Sequence, residues 1–193
     1  MRKIILQEFV TIDGFAADPN GEMDFIQDYA TRNDTSFQED AFRFLDTVDT
    51  MILGANTYNL FVGYWPHATE EGEFATKLNS LSKVVVSATL ESAPWGKWEG
   101  AEIVAHNPTE AIARLKQQPG KDIVVWGSLT LAKSLMQEGL IDEYQLRVCP
   151  ITLGNGKRLF AGDSGALDMK LLEAKTYDEG LVLLRYQPAG KKK

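Results

Sequence analysis

The run from Asp122 to Phe160, DIVVWGSLTLAKSLMQEGLIDEYQLRVCPITLGNGKRLF, constrains the fold more than any other part of the chain. Ile123 to Trp126 is uninterruptedly apolar, the pattern of a strand covered on both faces and therefore placed inside a sheet. Gly127 follows, where the lack of a Cβ permits unusual φ and lets a ligand or another backbone come close. Ser128 is placed to cap a helix that opens at Leu129 and stops near Gly139. The unpaired first-turn N–H groups of that helix, with its positive dipole end, lie outside the carboxyl end of the strand. In open α/β sheets this is where nucleotides bind. The same strand-Gly-Ser-helix connection also occurs with no ligand, so by itself it only nominates a nucleotide site.

The rest of the chain supplies partners for that strand. Lys3 to Thr11 is an apolar, β-rich first strand running into a turn at Asp13-Gly14. Ser36 to Asp46 has Phe37, Ala41, Phe44 and Leu45 at helical spacing. Thr50 to Leu53 is a second buried strand, after which Gly54-Ala-Asn-Thr57-Tyr58 opens a helix. Val84 to Ser87 and Glu102 to Ala105 are further strands, and Ala111 to Gln117 is an amphipathic helix stopped by Pro119-Gly120. Tyr144, Leu146 and Val148 alternate with polar residues, as in an antiparallel, half-buried strand. Met169 to Thr176 and Leu181 to Gln187 flank Asp178-Glu-Gly180 and read as a hairpin. No repeat or linker interrupts the pattern, which predicts one α/β domain over 1–188 and a frayed tail over 189–193.

Charge and composition narrow the function. A net charge of −7 over 193 residues argues against a nucleic-acid or anionic-membrane surface. No apolar run of about 18 residues is present, and the start is too short and polar for a signal peptide. The lone Cys149 excludes an intrachain disulfide framework, and no His/Cys cluster has metal-ligand spacing. The expectation is a cytoplasmic protein with no metal, no nucleic-acid partner, no membrane anchor and a small-molecule substrate.

GSLTLAKSL, followed by the Asp142-Glu143 strand and the Pro150 to Gly156 segment PITLGNG, resembles the reductase domain at the C-terminal end of the bifunctional riboflavin-biosynthesis deaminase/reductase. That domain has the dihydrofolate reductase fold, and TIDG near the start and LGANTY in the middle extend the match over nearly the whole chain. The resemblance implies a mixed central sheet flanked by helices, with a C-terminal antiparallel hairpin. It also implies NADPH, or NADH, as cofactor and a homodimer. By resemblance the cofactor lies on Gly54, Asn56 and Thr57, on Trp126, Gly127, Ser128, Leu129, Thr130 and Ala132, and against the first strand end at Phe9, Val10 and Ala16. Ser87 and Thr89, short hydroxyl side chains at a strand end, suit ribose or phosphate oxygens. Ala55 stands where dihydrofolate reductases often carry an arginine for the 2′-phosphate of NADPH.

Phe25, Phe42 and Trp65 are the substrate-side candidates. In dihydrofolate reductase the helix corresponding to Ser36–Asp46 carries a carboxylate about four residues before a packing aromatic. That register puts the aromatic on Phe42 and the acid on Gln38, with Glu39 rotated about 100° away. Glu39 and Asp13 are the acids considered for catalysis, Asp13 having an ordinary reading as a turn former. The leading expectation is a stand-alone reductase resembling 5-amino-6-(5-phosphoribosylamino)uracil reductase, delivering hydride to a small heterocyclic or carbonyl substrate. The alternatives are a dihydrofolate reductase-like activity and a non-catalytic dimeric nucleotide-binding protein of the same fold.

Overall fold

The computed structural model describes residues 1–26, 34–161 and 166–190. Among the described residues there are ten strands and five α-helices. The strands are β1 (Ile4–Thr11), β2 (Phe15–Ala17), β3 (Val48–Gly54), β4 (Ser82–Val86), β5 (Glu102–Val104), β6 (Asp122–Trp126), β7 (Glu143–Cys149), β8 (Lys157–Arg158), β9 (Met169–Thr176) and β10 (Val182–Pro188). The helices are α1 (Thr35–Thr47), α2 (Ala55–Tyr64), α3 (Gly72–Ser80), α4 (Pro108–Gln117) and α5 (Leu129–Gln137).

Eight strands form one sheet in the order β5-β4-β3-β6-β1-β7-β10-β9, and β2 pairs with β8 apart from it. From β5 to β7 every pairing is parallel, while β10 runs antiparallel to both β7 and β9. The apolar runs explain this arrangement. In β1, β3 and β6 both alternating sets of side chains are buried, which suits strands covered by helices on each face. Ile4, Leu6, Ile52, Ile123 and Val125 join one core with Ile112 of α4 and Leu131 and Leu135 of α5. Ile5, Met51, Leu53 and Val124 join the opposite core with Leu45 of α1, Tyr58 of α2 and Leu78 of α3.

The alternation in β7 has a different meaning from the one expected. The strand is parallel to β1 and antiparallel to β10, and Tyr144 and Gln145, consecutive residues on opposite faces, are both buried. Period-two polarity here marks an interior strand in which Gln145 is hydrogen-bonded to Gln7 and Glu143, and Arg147 lies against Phe9 and Phe37, so solvent is not the reason for the pattern. The terminal hairpin and the adjacency of Met51–Leu53 to Ile123–Trp126 are as expected.

Candidate active site

The carboxyl ends of β4, β3, β6 and β1 lie side by side, because Gly54 pairs with Val86, Leu53 with Trp126, and Trp126 with Gln7. Helices α2 and α5 start at two of these ends, and their starts abut. A Cβ built on Gly54 would lie 2.3 Å from the Ser128 Cβ, and one built on Gly127 would lie 2.2 Å from the Thr57 Oγ1. The two glycines therefore let one helix start rest on the other. Gly127 also has φ +63, a left-handed conformation that a side chain disfavours. The sequence suggested that Gly127 leaves room for a phosphate; the structure shows that Thr57 occupies the space beside it.

Among the described residues, this junction leaves first-turn backbone donors with no side-chain cap. Gly54 caps α2 with no side-chain hydrogen bond, so nothing from the cap meets the first-turn N–H groups of Ala55, Asn56 and Thr57. Ser128, itself left-handed at φ 58, uses its Oγ to accept from the Leu131 N–H at 3.3 Å, leaving Leu129 and Thr130. Two positive helix ends with unserved donors fit a diphosphate group. Ser87 closes the row at the end of β4. Its Oγ accepts from the backbone N–H groups of Thr89 and Leu90 at 3.2 and 3.1 Å, so the hydroxyl shapes its own turn, and the Thr89 side chain is exposed. Ala132 and Val10 are core residues, as is Ala16, with the backbone of Val10 continuing β1 past the junction.

Beside the junction, on the α1 face of the sheet, lies a cleft of about 840 Å³. Its floor is Gln7, Glu8 and Phe9 of β1 with Trp126 and Gly127, and its walls are Phe37, Gln38, Ala41 and Phe44 of α1 and Phe61, Tyr64, Trp65 and Phe74 beyond. Trp126 is held in place by a polar chain across three strands. Its Nε1 donates to Gln7 Oε1 at 2.8 Å, Gln7 Nε2 donates to Gln145 Oε1 at 2.9 Å, and Gln145 Nε2 donates to Glu143 Oε1 at 2.9 Å. Arg185 of β10 anchors the end of the chain with an Nε–Glu143 Oε1 bond of 2.8 Å.

Among the residues nominated from sequence, Trp65 and Phe9 border the cleft together with Thr57, Trp126 and Gly127. Phe42 instead lies under the Lys77 ammonium at 3.6 Å, and Phe25 is packed with Phe37, Cys149 and Tyr177 while its neighbours Met23 and Ile26 reach the cleft. Neither acid considered for catalysis borders it. Glu39 is on the exposed side of α1, paired with Arg43 at 2.6 Å. Asp13 accepts from the Thr11 hydroxyl and from the Leu153 and Gly154 N–H groups, the hydroxyl first among the causes that hold its carboxyl below the usual range. It ties the first turn to the 150–156 loop.

Of the four Glu and Arg residues bordering the cleft among the described residues, Glu8, Glu70, Glu71 and Arg147, none was nominated from sequence, and two stand out. Glu8 is buried, its Oε1 has no hydrogen-bond partner, and burial pushes its carboxyl up to about 8 against a small opposing effect of the Gly127 N–H. Arg147 of β7 stacks on Phe9 and Phe37, with its guanidinium carbon 5.1 and 4.8 Å from the ring centroids. The available signal was a charged residue inside an otherwise apolar strand, visible for Glu8 in IILQEFVT and weak for Arg147 in EYQLRVC.

A mostly parallel sheet with a C-terminal antiparallel hairpin, a cleft beside β1 and two helix starts meeting at the strand ends define a dihydrofolate reductase-like domain. Within that fold class the chain belongs to the RibD C-terminal domain family, whose pattern matches residues 2–183. The uncharacterized protein YyaP of Bacillus subtilis (strain 168) is 32% identical over 96% of this chain and 94% of its own length. A Shewanella sp. PV-4 protein named for riboflavin biosynthesis superimposes with a TM-score of 0.74 at 22% identity, covering 98% of this chain and 99% of that one. A dihydrofolate reductase from Enterococcus faecalis, complexed with NADP(H), superimposes with a TM-score of 0.56 at 14% identity over 97% of this chain and 96% of that one. The family supports a reductase of the RibD type.

Proposed function

We propose that the protein is an NADPH-dependent reductase, able in principle to accept NADH, that delivers hydride to a small heterocyclic or carbonyl substrate held in the cleft. The observation that carries this reading is the meeting of the α2 and α5 starts at the rim of the cleft. Backbone N–H groups of Ala55, Asn56, Thr57, Leu129 and Thr130 would hold the diphosphate, and the strand end at Phe9 and Val10 would border the nicotinamide. The cofactor supplies the hydride. The chain's own contribution is to orient and to exclude water: Trp126 is fixed by the Gln7 chain, and the aromatic walls dry the cleft. Glu8 borders the cleft through the β1 backbone, while strand alternation sets its carboxyl on the opposite face with Leu6 and Val10, so we assign the proton that accompanies hydride transfer to a water molecule in the cleft. The related phosphoribosylamino-pyrimidine reduction remains the reference reaction for assay, and a homodimer is proposed as the working assembly.

Titration with NADPH and NADH, followed by tryptophan fluorescence and calorimetry, tests the reading on the parent and on Ala55→Pro. Gly54 has φ −84 and ψ 166, an extended conformation that tolerates a following proline, and proline at the first helical position removes one donor without breaking the helix. The loss of one charge-assisted hydrogen bond should weaken NADPH binding by roughly tenfold to a hundredfold. A folded parent that binds neither nucleotide, or a folded Ala55→Pro that binds as tightly as the parent, contradicts the site.

A further inference from the structure

We infer that the cleft takes a planar molecule with apolar rings and one carboxylate-type oxyanion, and that Arg147 is the residue that holds the oxyanion. The inference deepens the reductase reading and rests on it for taking the cleft as the substrate side.

Arg147 borders the cleft with its guanidinium face covered by Phe9 and Phe37. These cation–π contacts use none of the N–H donors, whose fork geometry matches a carboxylate. No ion pair or hydrogen bond from Arg147 to a described residue uses them. Asp40 is the carboxylate near enough to act on it electrostatically, but Asp40 is already paired with Lys175 and accepts from the Tyr177 hydroxyl at 2.8 Å. Burial lowers the guanidinium to about 10, so it is still charged at neutral pH. A half-buried, charged arginine whose donors meet no acceptor among the described residues is open to a ligand anion from the cleft.

The surroundings set the rest of the ligand. Phe37, Phe44, Phe61, Trp65, Phe74 and Trp126 present ring surface to the cleft, which suits a flat hydrophobic body. No lysine borders it, and Arg147 is its one arginine among the described residues. One guanidinium fork can grip two oxygens of a carboxylate or of a phosphate, but a single cation balances a monoanion and leaves a phosphate dianion with a charge unmatched. Glu70 and Glu71 border the cleft too and would repel a more highly charged ligand. The cleft thus favours an aromatic carboxylate over a sugar phosphate.

Calorimetric titration of the cofactor-free protein with 2-naphthoate, its neutral isostere 2-naphthamide and 2-naphthyl phosphate tests this directly. The parent should bind the carboxylate at least tenfold more tightly than the amide or the phosphate. Arg147→Met should bind carboxylate and amide alike, with the amide affinity within a few-fold of the parent's, while Arg147→Lys should keep part of the preference. Far-UV circular dichroism melts run on each variant confirm folding; if Arg147→Met does not fold, Arg147→Lys decides, and an undiminished preference there counts against the inference. Equal affinity for acid and amide in the parent, tighter binding of the phosphate, no binding of any probe below about 1 mM, or a preference that survives in Arg147→Met overturns it. A carboxylate preference that persists in a protein unable to bind NADPH or NADH would sink the reductase reading and leave the anion site standing.

Discussion

A carboxyl group in a strand whose neighbours are apolar has to give up either its charge or its burial, and Glu8 gives up its charge. In the folded protein its proton is held to about pH 8, whereas in the unfolded chain it leaves near the ordinary glutamate value of 4.5. Between those values the folded state binds more protons than the unfolded state, so stability falls as pH rises through this window and the penalty is complete above it. Glu8→Gln, neutral throughout, should therefore gain on the parent from pH 5 to pH 9 by an amount on the order of a few kcal/mol. Thermal unfolding of the two proteins across that range measures the difference, and parallel curves would remove the buried neutral carboxyl. The acid was invisible to a reading that looked for carboxylates on the helix over Ser36–Asp46. Period and spacing identify faces, but only the packed neighbours decide whether an acid on a face is ionised. Asp13 shows the converse, since its Asp-Gly turn pair was legible while its bonds to Leu153 and Gly154 cross 140 residues of chain.

At the scale of elements, the junction of α2 and α5 was legible in outline because each helix follows a buried strand and a glycine. The reason for Gly127 was not, because the atom it makes room for belongs to Thr57, seventy residues earlier. This changes what a substitution there measures. Gly127→Ala places a Cβ against Thr57 Oγ1 and Cγ2 at φ +63, and should cost about 1 to 3 kcal/mol of stability whatever happens to cofactor. Thr57→Ala removes the colliding atoms but not the φ strain. The double variant should thus recover part of the loss, with a coupling of about 1 kcal/mol in a urea-unfolding cycle. Strictly additive effects would mean that the helix starts do not bear on each other. Weak NADPH binding by a bulky Gly127 variant would then reflect a disturbed junction as much as a blocked phosphate.

For the whole molecule, the sequence foretold the strand-helix alternation and the terminal hairpin because both are written in local apolar periodicity and turn residues. It did not foretell that β7 would run parallel to β1, since a strand's direction is set by the connection that brings it to the sheet. The consequence is a sheet that ends at β9, an edge strand with an exposed surface. Leu171 and Leu172 there are 49% and 41% exposed. The register steps from Glu173 opposite Arg185 to Leu171 opposite Tyr186, so Leu172 sits at a bulge. Bulges and the charged Lys170, Glu173 and Lys175 along the same strand discourage edge-to-edge pairing with a second chain. A homodimer formed here should accordingly use side-chain contact across the hairpin face and leave each sheet its own. Such an interface needs roughly 1,200 to 2,000 Å² of total buried surface, and two charges introduced at its apolar centre should abolish it. Sedimentation at micromolar concentration should show a dimer for the parent and a monomer for the Leu171→Glu, Leu172→Lys variant, with the variant's melting temperature at low concentration matching the parent's because both positions are exposed. A parent that sediments as a monomer rejects the dimer, and a variant that stays dimeric places the interface elsewhere than β9.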